Sequence, residues 1–137
     1  MQRILSRSAS LRRPCLPQTR TRSSIASVRH HFIVYAPDMT DEGAFARRLS
    51  VRPAHLSAAG EQIKTGVFKL AGAMLTPESI ASPTADKKMV GSVFVCEAES
   101  LQAVRELMES DVYYTSGVWD KEKLVIMPLA LATPLPK

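Results

Sequence analysis

Acidic residues are absent from the first 31 positions; all 13 lie after them. Cysteine is nearly absent too, with Cys15 close to the start and Cys96 in an apolar run. One cysteine in the body of the chain excludes an internal disulfide there, and without neighbouring ligand residues it makes no zinc site. No apolar stretch approaches the roughly 20 residues that cross a membrane as a helix. The best candidate, Leu124 to Ala132, is far shorter and contains Pro128. A P-loop, a GxGxxG fingerprint, a CxxC pair and internal repeats are all missing, so no motif for a nucleotide, metal or other cofactor is present.

What the acid-free start does contain is seven arginines and six serines, with no lysine. Such a composition is that of a mitochondrial transit peptide. Ile4, Leu5 and Leu11 fall roughly on one side of a helical wheel among arginines, and Pro14 and Pro17 end that pattern. A secretory signal needs an uninterrupted apolar core of about 7–15 residues, which this stretch lacks. The alternative is a basic tail that binds RNA. Cleavage is expected between Arg22 and His31. The whole chain carries a net charge of +5, but removing the seven arginines leaves 11 basic and 13 acidic residues, a net of −2. The basic character therefore belongs to the leader, and the body gives no electrostatic reason to expect nucleic acid as a partner.

Three segments follow: a leader over 1–31, one domain over 32–132 and a proline-containing tail over 133–137. Within the domain, Phe32 to Ala36 is a short β-favouring run stopped by Pro37. Asp38 or Thr40 is expected to cap a helix with Asp41 and Glu42 in its first turn. Phe45, Leu49 and Leu56 would form its apolar face, and Pro53 would kink it or start a second short helix. Strands are predicted over 66–75, 89–96 and 118–127, with a polar loop over 76–88. Ser100 is expected to cap a helix carrying Leu101, Val104, Leu107 and Met108 on one face. This βαββαβ order is the ferredoxin-like pattern: an α+β fold with a four-stranded antiparallel sheet and two helices on one face. Val93 to Cys96 and Leu124 to Met127 are apolar at consecutive positions, so both sheet faces need cover, and a homodimer packed sheet against sheet supplies it.

Two clusters carry candidate chemistry. Arg48, Arg52 and His55 fall at i, i+4 and i+7, a polar stripe beside the expected apolar face of the first helix. Glu109 to Val118 joins the second helix to the last strand and holds Asp111, Tyr113 and Tyr114. Junctions of this kind often overhang a pocket. His30 and His31 are adjacent and would point in different directions in a strand, which is not a ligand arrangement.

Arg52-Pro53-Ala54-His55-Leu56, Leu70-Ala71-Gly72-Ala73, Gly91-Ser92-Val93 and Asp111 through Gly117, together with Phe32 to Ala36 and Asp38, resemble the ordered signatures of the YCII-related (YciI-like) domain family. The resemblance spans about residues 31 to 130. It implies a dimeric α+β barrel and a His–Asp pair proposed as an active site, at the positions of His55 and Asp111. The chain departs from the family pattern at Val112, where proline is usual after the aspartate, at Thr115, near which a basic residue often stands, and at Ala73, where Gly-Pro usually ends the strand. The implied chemistry is general acid–base: Asp111 would orient one imidazole nitrogen and the other would move a proton, as in an isomerase, lyase or dehydrohalogenase. Arg48 or Arg52 would then hold an anionic group of a small molecule, with Tyr35, Tyr113 and Tyr114 as hydrogen-bond donors or aromatic walls. No metal or other cofactor enters this reading. The alternative is a non-catalytic dimeric module that binds a small ligand or serves a structural role.

Overall fold

The computed structural model describes residues 27–135. The leader expected over 1–31 therefore lies largely, and the last two residues of the tail wholly, outside the described residues.

Strand β1 (His30–Pro37) is central. It pairs antiparallel with β3 (Met89–Ala98) on one side and β4 (Val125–Leu129) on the other, and β2 (Phe68–Leu75) pairs antiparallel with β3, giving the order β2-β3-β1-β4. Helix α1 (Ala44–Lys64) connects β1 to β2, and α2 (Leu101–Ser110) leads from β3 into a one-turn helix, α3 (Val112–Thr115). The α+β ferredoxin-like fold expected from the sequence is thus present, with α3 as an addition. Alternation along the strands separates the two faces. Phe32, Val34, Phe94, Cys96 and Ile126 point to the helices and join Val104, Met108, Tyr113, Val118 and Trp119 in one core. Gly91 is required where β3 passes the end of β1: a Cβ there would stand 2.8 Å from the Ala36 carbonyl oxygen.

The opposite face of the sheet is apolar and uncovered within one chain. Tyr35 is 47% exposed, Leu70 43% and Met127 53%, and Ile33 and Val93 are only half-buried.

Five local expectations are corrected. Ser100 caps α2 by accepting from the Ala103 amide, but neither Asp38 nor Thr40 caps α1; Gly43 holds that place, and Asp38 is drawn inside by an arginine. Asp41 and Glu42 lie before the first turn, where Asp41 binds Arg47. Pro53 does not start a second helix: α1 runs through it, because it lies on the exposed side, where the carbonyl it leaves unpaired can meet water. The face of α1 is inverted: Phe45, Leu49 and Leu56 are exposed, while Ala44, Arg48, His55 and Ala59 are buried. Finally, the strand expected over 118–127 is two pieces. Val118 to Asp120 runs beside Pro37 to Met39, a turn from Asp120 to Lys123 interrupts it, and only then does β4 begin.

Candidate active site

The buried face of α1 places polar side chains against aromatic rings. Arg48 Nη1 donates to both carboxylate oxygens of Asp38, at 2.7 and 2.9 Å, and both side chains are buried. Burial pushes the Asp38 carboxyl above its ordinary value, and the Arg48 charge draws it back. Arg48 Nη2 donates to Ser92 Oγ at 3.2 Å, and Trp119 Nε1 donates to the same oxygen at 3.3 Å. These contacts hold the guanidinium 4.6 Å from the centroid of the Tyr113 ring.

Two helical turns further along, His55 Nδ1 lies 2.9 Å from each carboxylate oxygen of Asp111. A carboxylate only accepts, so Nδ1 carries a hydrogen, and Nε2 is the ring nitrogen left without a partner among the described residues. Asp111 is held in place by its position: it ends α2, and its Oδ1 accepts from the Tyr113 amide at 2.8 Å as the cap of α3. The imidazole is fixed on its flat side too. Tyr113 stacks on it at 3.8 Å and 15°, and Trp119 meets it edge-on at 5.8 Å. Tautomer, ring plane and position are all set before any ligand arrives.

These groups border a cavity of about 200 Å³ between α1 and the edge strand β2. A cavity of roughly 150 Å³ accommodates benzene, so a single-ring compound fits this volume. Arg48, His55, Ser92, Phe94 and Tyr113 line its inner part, and Leu56, Ile63, Ala71 and Ala73 its apolar side. Arg52 also lines it and has no ion-pair or hydrogen-bond partner among the described residues. No Asp or Glu is in the lining.

Of the residues singled out by sequence, the fold brings together Arg48, Arg52, His55, Asp111 and Tyr113. Tyr35 stands on the uncovered face of the sheet, away from the helices. Tyr114 lies beneath the Lys121 ammonium, 4.4 Å from the ring centroid, and does not line the cavity. Three members had no role in the sequence reading: Ser92, Trp119 and Asp38 as an arginine partner. Ser92 stood in the Gly91-Ser92-Val93 motif without a role of its own, and a serine at an inward position of an otherwise apolar strand is the signal that could have given it one. Among the described residues no group of His, Cys, Asp and Glu is arranged to hold a metal ion, and His31 instead approaches Glu97. No helix of the described residues is long and apolar enough to cross a membrane.

A ferredoxin-like α+β domain with a His–Asp pair set into a small cavity beneath its helices is the class these features define. The chain belongs to the YCII-related domain family, whose model matches residues 31–128. It is 34% identical over 89 residues to the protein YciI of Escherichia coli, covering 65% of this chain and 87% of that one. It is 28% identical over 104 residues to fusaric acid biosynthesis protein 2 of Gibberella fujikuroi, covering 76% of this chain and 96% of the relative. An aspartate kinase of Fusarium oxysporum is 29% identical over 108 residues, and there the chain spans only 19% of the relative's length. Among solved structures it resembles the 5-chloro-2-hydroxyhydroquinone dehydrochlorinase TftG of Burkholderia phenoliruptrix in complex with 2,5-dihydroxybenzoquinone. The TM-score is 0.60 at 26% identity, covering 73% of this chain and 93% of that one.

Proposed function

We propose that this protein is a homodimeric mitochondrial enzyme that moves a proton on a small, flat, oxygen-bearing anion, with His55 as the base or acid and Asp111 as its orienting partner. The observation that carries the proposal is the His55–Asp111 contact at 2.9 Å beside a cavity of single-ring size. Asp111 fixes the Nδ1–H tautomer and stabilises the imidazolium that forms, so Nε2 is free to exchange a proton. A positioned base of this kind contributes about 10²–10⁴-fold in rate. Elimination of a hydrogen halide fits the same parts: the base takes the proton and halide leaves with the electron pair. The likeness to a dehydrochlorinase bound to a dihydroxybenzoquinone supports this class of chemistry. Arg52, at the cavity and without a partner among the described residues, matches an anionic substrate.

Support for the dimer is the uncovered apolar sheet face, and support for mitochondrial import is the acid-free, arginine-rich leader.

The test is solvent-deuterium exchange and chloride release, followed by NMR and a chloride electrode, on hydroxylated quinones and chlorinated hydroquinones. The full chain is compared with His55→Ala and Asp111→Asn. Loss of turnover in variants that keep the wild-type circular dichroism and dimerisation supports catalysis. Binding without turnover in the wild type makes this a ligand-binding module, and unfolding of both variants makes the pair structural.

A further inference from the structure

The cavity has a closed polar end and an open apolar one. Arg48, His55, Ser92 and Tyr113 line it and are buried. Leu56 and Ile63 line it as well, yet they are 48% and 54% exposed, and Ala71 and Ala73 of β2 are exposed too. Side chains that border both the cavity and solvent mark its mouth. Leu56, Gly60 and Ile63 follow one another at spacings of four and three, so they form one strip of α1 along that mouth. Arg52, one turn before Leu56, is the charged member of the rim. Gly60 has no structural reason to be glycine. It lies inside α1 without a positive φ, and a Cβ added to it would meet nothing within 4 Å. Alanine is the better helix former at such a position. What the missing side chain leaves is space at the mouth.

Large apolar side chains left open at the edge of a ligand cavity are complementary to an apolar part of the ligand. The enclosed volume, about 200 Å³, is little more than one ring requires, so whatever extends beyond the ring must leave through the mouth. We propose that the gap between Leu56, Gly60 and Ile63 on α1 and Ala71 and Ala73 on β2 is a slot for an apolar arm. The ligand is then a single ring that carries an alkyl substituent, with its polar side turned inward and its arm lying along α1. Gly60 and Ile63 are the residues that set which arm is accepted, Gly60 by leaving room and Ile63 by covering the chain. The arm takes the Ile63 side of the mouth and not the Arg52 side, because covering a guanidinium with hydrocarbon would strip it of water without a partner in return. This inference rests on the reading of the cavity as the ligand site and does not depend on turnover.

The probes are benzoate and its 4-ethyl and 4-butyl homologues, titrated into the full-length protein by calorimetry. Each methylene that enters the slot is expected to tighten binding about threefold, the gain from burying part of one CH₂ group, so 4-butylbenzoate should bind roughly 80-fold more tightly than benzoate. Gly60→Leu puts a side chain into the gap and should bring that ratio down towards one. Ile63→Ser removes the apolar cover and should act in the same direction; Ile63 is more than half exposed, so this variant keeps the test open if Gly60→Leu does not fold. Gly60→Ala should raise the melting temperature by about 4 °C, since only helix propensity changes. A lower melting temperature would show that the fold requires glycine there and overturn the proposal. Equal affinities along the series, or a ratio that both Gly60→Leu and Ile63→Ser leave intact, would overturn the slot while benzoate binding keeps the cavity as the ligand site. Binding of no member of the series would overturn both. A change of sedimentation in Ile63→Ser would show that a second copy of the chain covers this strip, and would likewise overturn the proposal.

Discussion

His55 Nδ1 is equidistant, at 2.9 Å, from the two oxygens of an aspartate 56 positions later in the chain, and one of those oxygens also caps α3. Asp111 thus joins the orientation of the imidazole to the start of the helix that carries Tyr113, the residue stacked on that imidazole.

The two roles can be separated by substitution. Asparagine caps helices about as well as aspartate, so Asp111→Asn should leave the melting temperature nearly unchanged while lowering kcat by about 10²–10⁴-fold, the usual share of a positioned base. Asp111→Ala should also lose about 1 kcal/mol from the missing cap. Thermal unfolding and steady-state kinetics on both variants distinguish these effects. Full activity in the asparagine variant would show that the pair has no part in proton transfer.

The Asp38–Arg48 pair should be far more sensitive to losing one partner than both. Asp38→Ala leaves a buried guanidinium uncompensated, with an expected cost of about 3–5 kcal/mol in urea denaturation. Combining it with Arg48→Met should recover part of that loss, since no buried charge then remains. A double variant no more stable than Asp38→Ala would contradict this account.

Cys96 should be inert in the native protein. Burial pushes its thiol up to about 12 from the ordinary 9.0, so the reactive thiolate is depleted about a thousandfold at moderate pH. The sign follows from the folded value lying above the unfolded one. The associated stability is complete below about pH 9 and is lost as pH rises towards 12. Alkylation by iodoacetamide, followed by mass spectrometry, should require unfolding; rapid labelling of the folded protein would contradict the burial.

On the uncovered sheet face, Met127→Glu and Val93→Glu should convert a dimer to monomers in sedimentation measurements without unfolding the domain, because both side chains point away from the helices. A wild-type protein that sediments as a monomer at micromolar concentration would remove the basis for the dimer.

For the leader, the chain recovered from mitochondria should begin between Arg22 and His31 when its N-terminus is sequenced, and replacing the leader arginines by alanine should abolish import. Recovery of the intact N-terminus from the cytosol would contradict the proposed address.

How much of this was legible from the residues differs from element to element. Strand β1 before Pro37 and helix α2 behind its Ser100 cap were readable because each signal is local: a β-favouring run with a breaker, and a hydroxyl three residues before the amide it accepts from. The last strand was not, because Val118 and Trp119 look like strand residues but are pulled into the core before the Asp120 turn. The site was half legible. His55 and Asp111 came from a resemblance in ordered motifs, whereas Ser92 had no assigned role and Asp38 was read as a cap.

The amino-acid sequence by itself determined the βαββαβ order of the main strands and helices, the contrast between an acid-free, arginine-rich start and a slightly acidic remainder, and the apolar character of both sheet faces. These follow from composition and short-range periodicity. Tertiary structure alone decided which face of α1 turns inward. A helical wheel ranks faces by apolarity and chooses Phe45, Leu49 and Leu56. The fold buries Arg48 and His55 instead, because Asp38, Ser92 and Asp111, distant in sequence, satisfy their polar groups once the sheet and α3 bring them within reach.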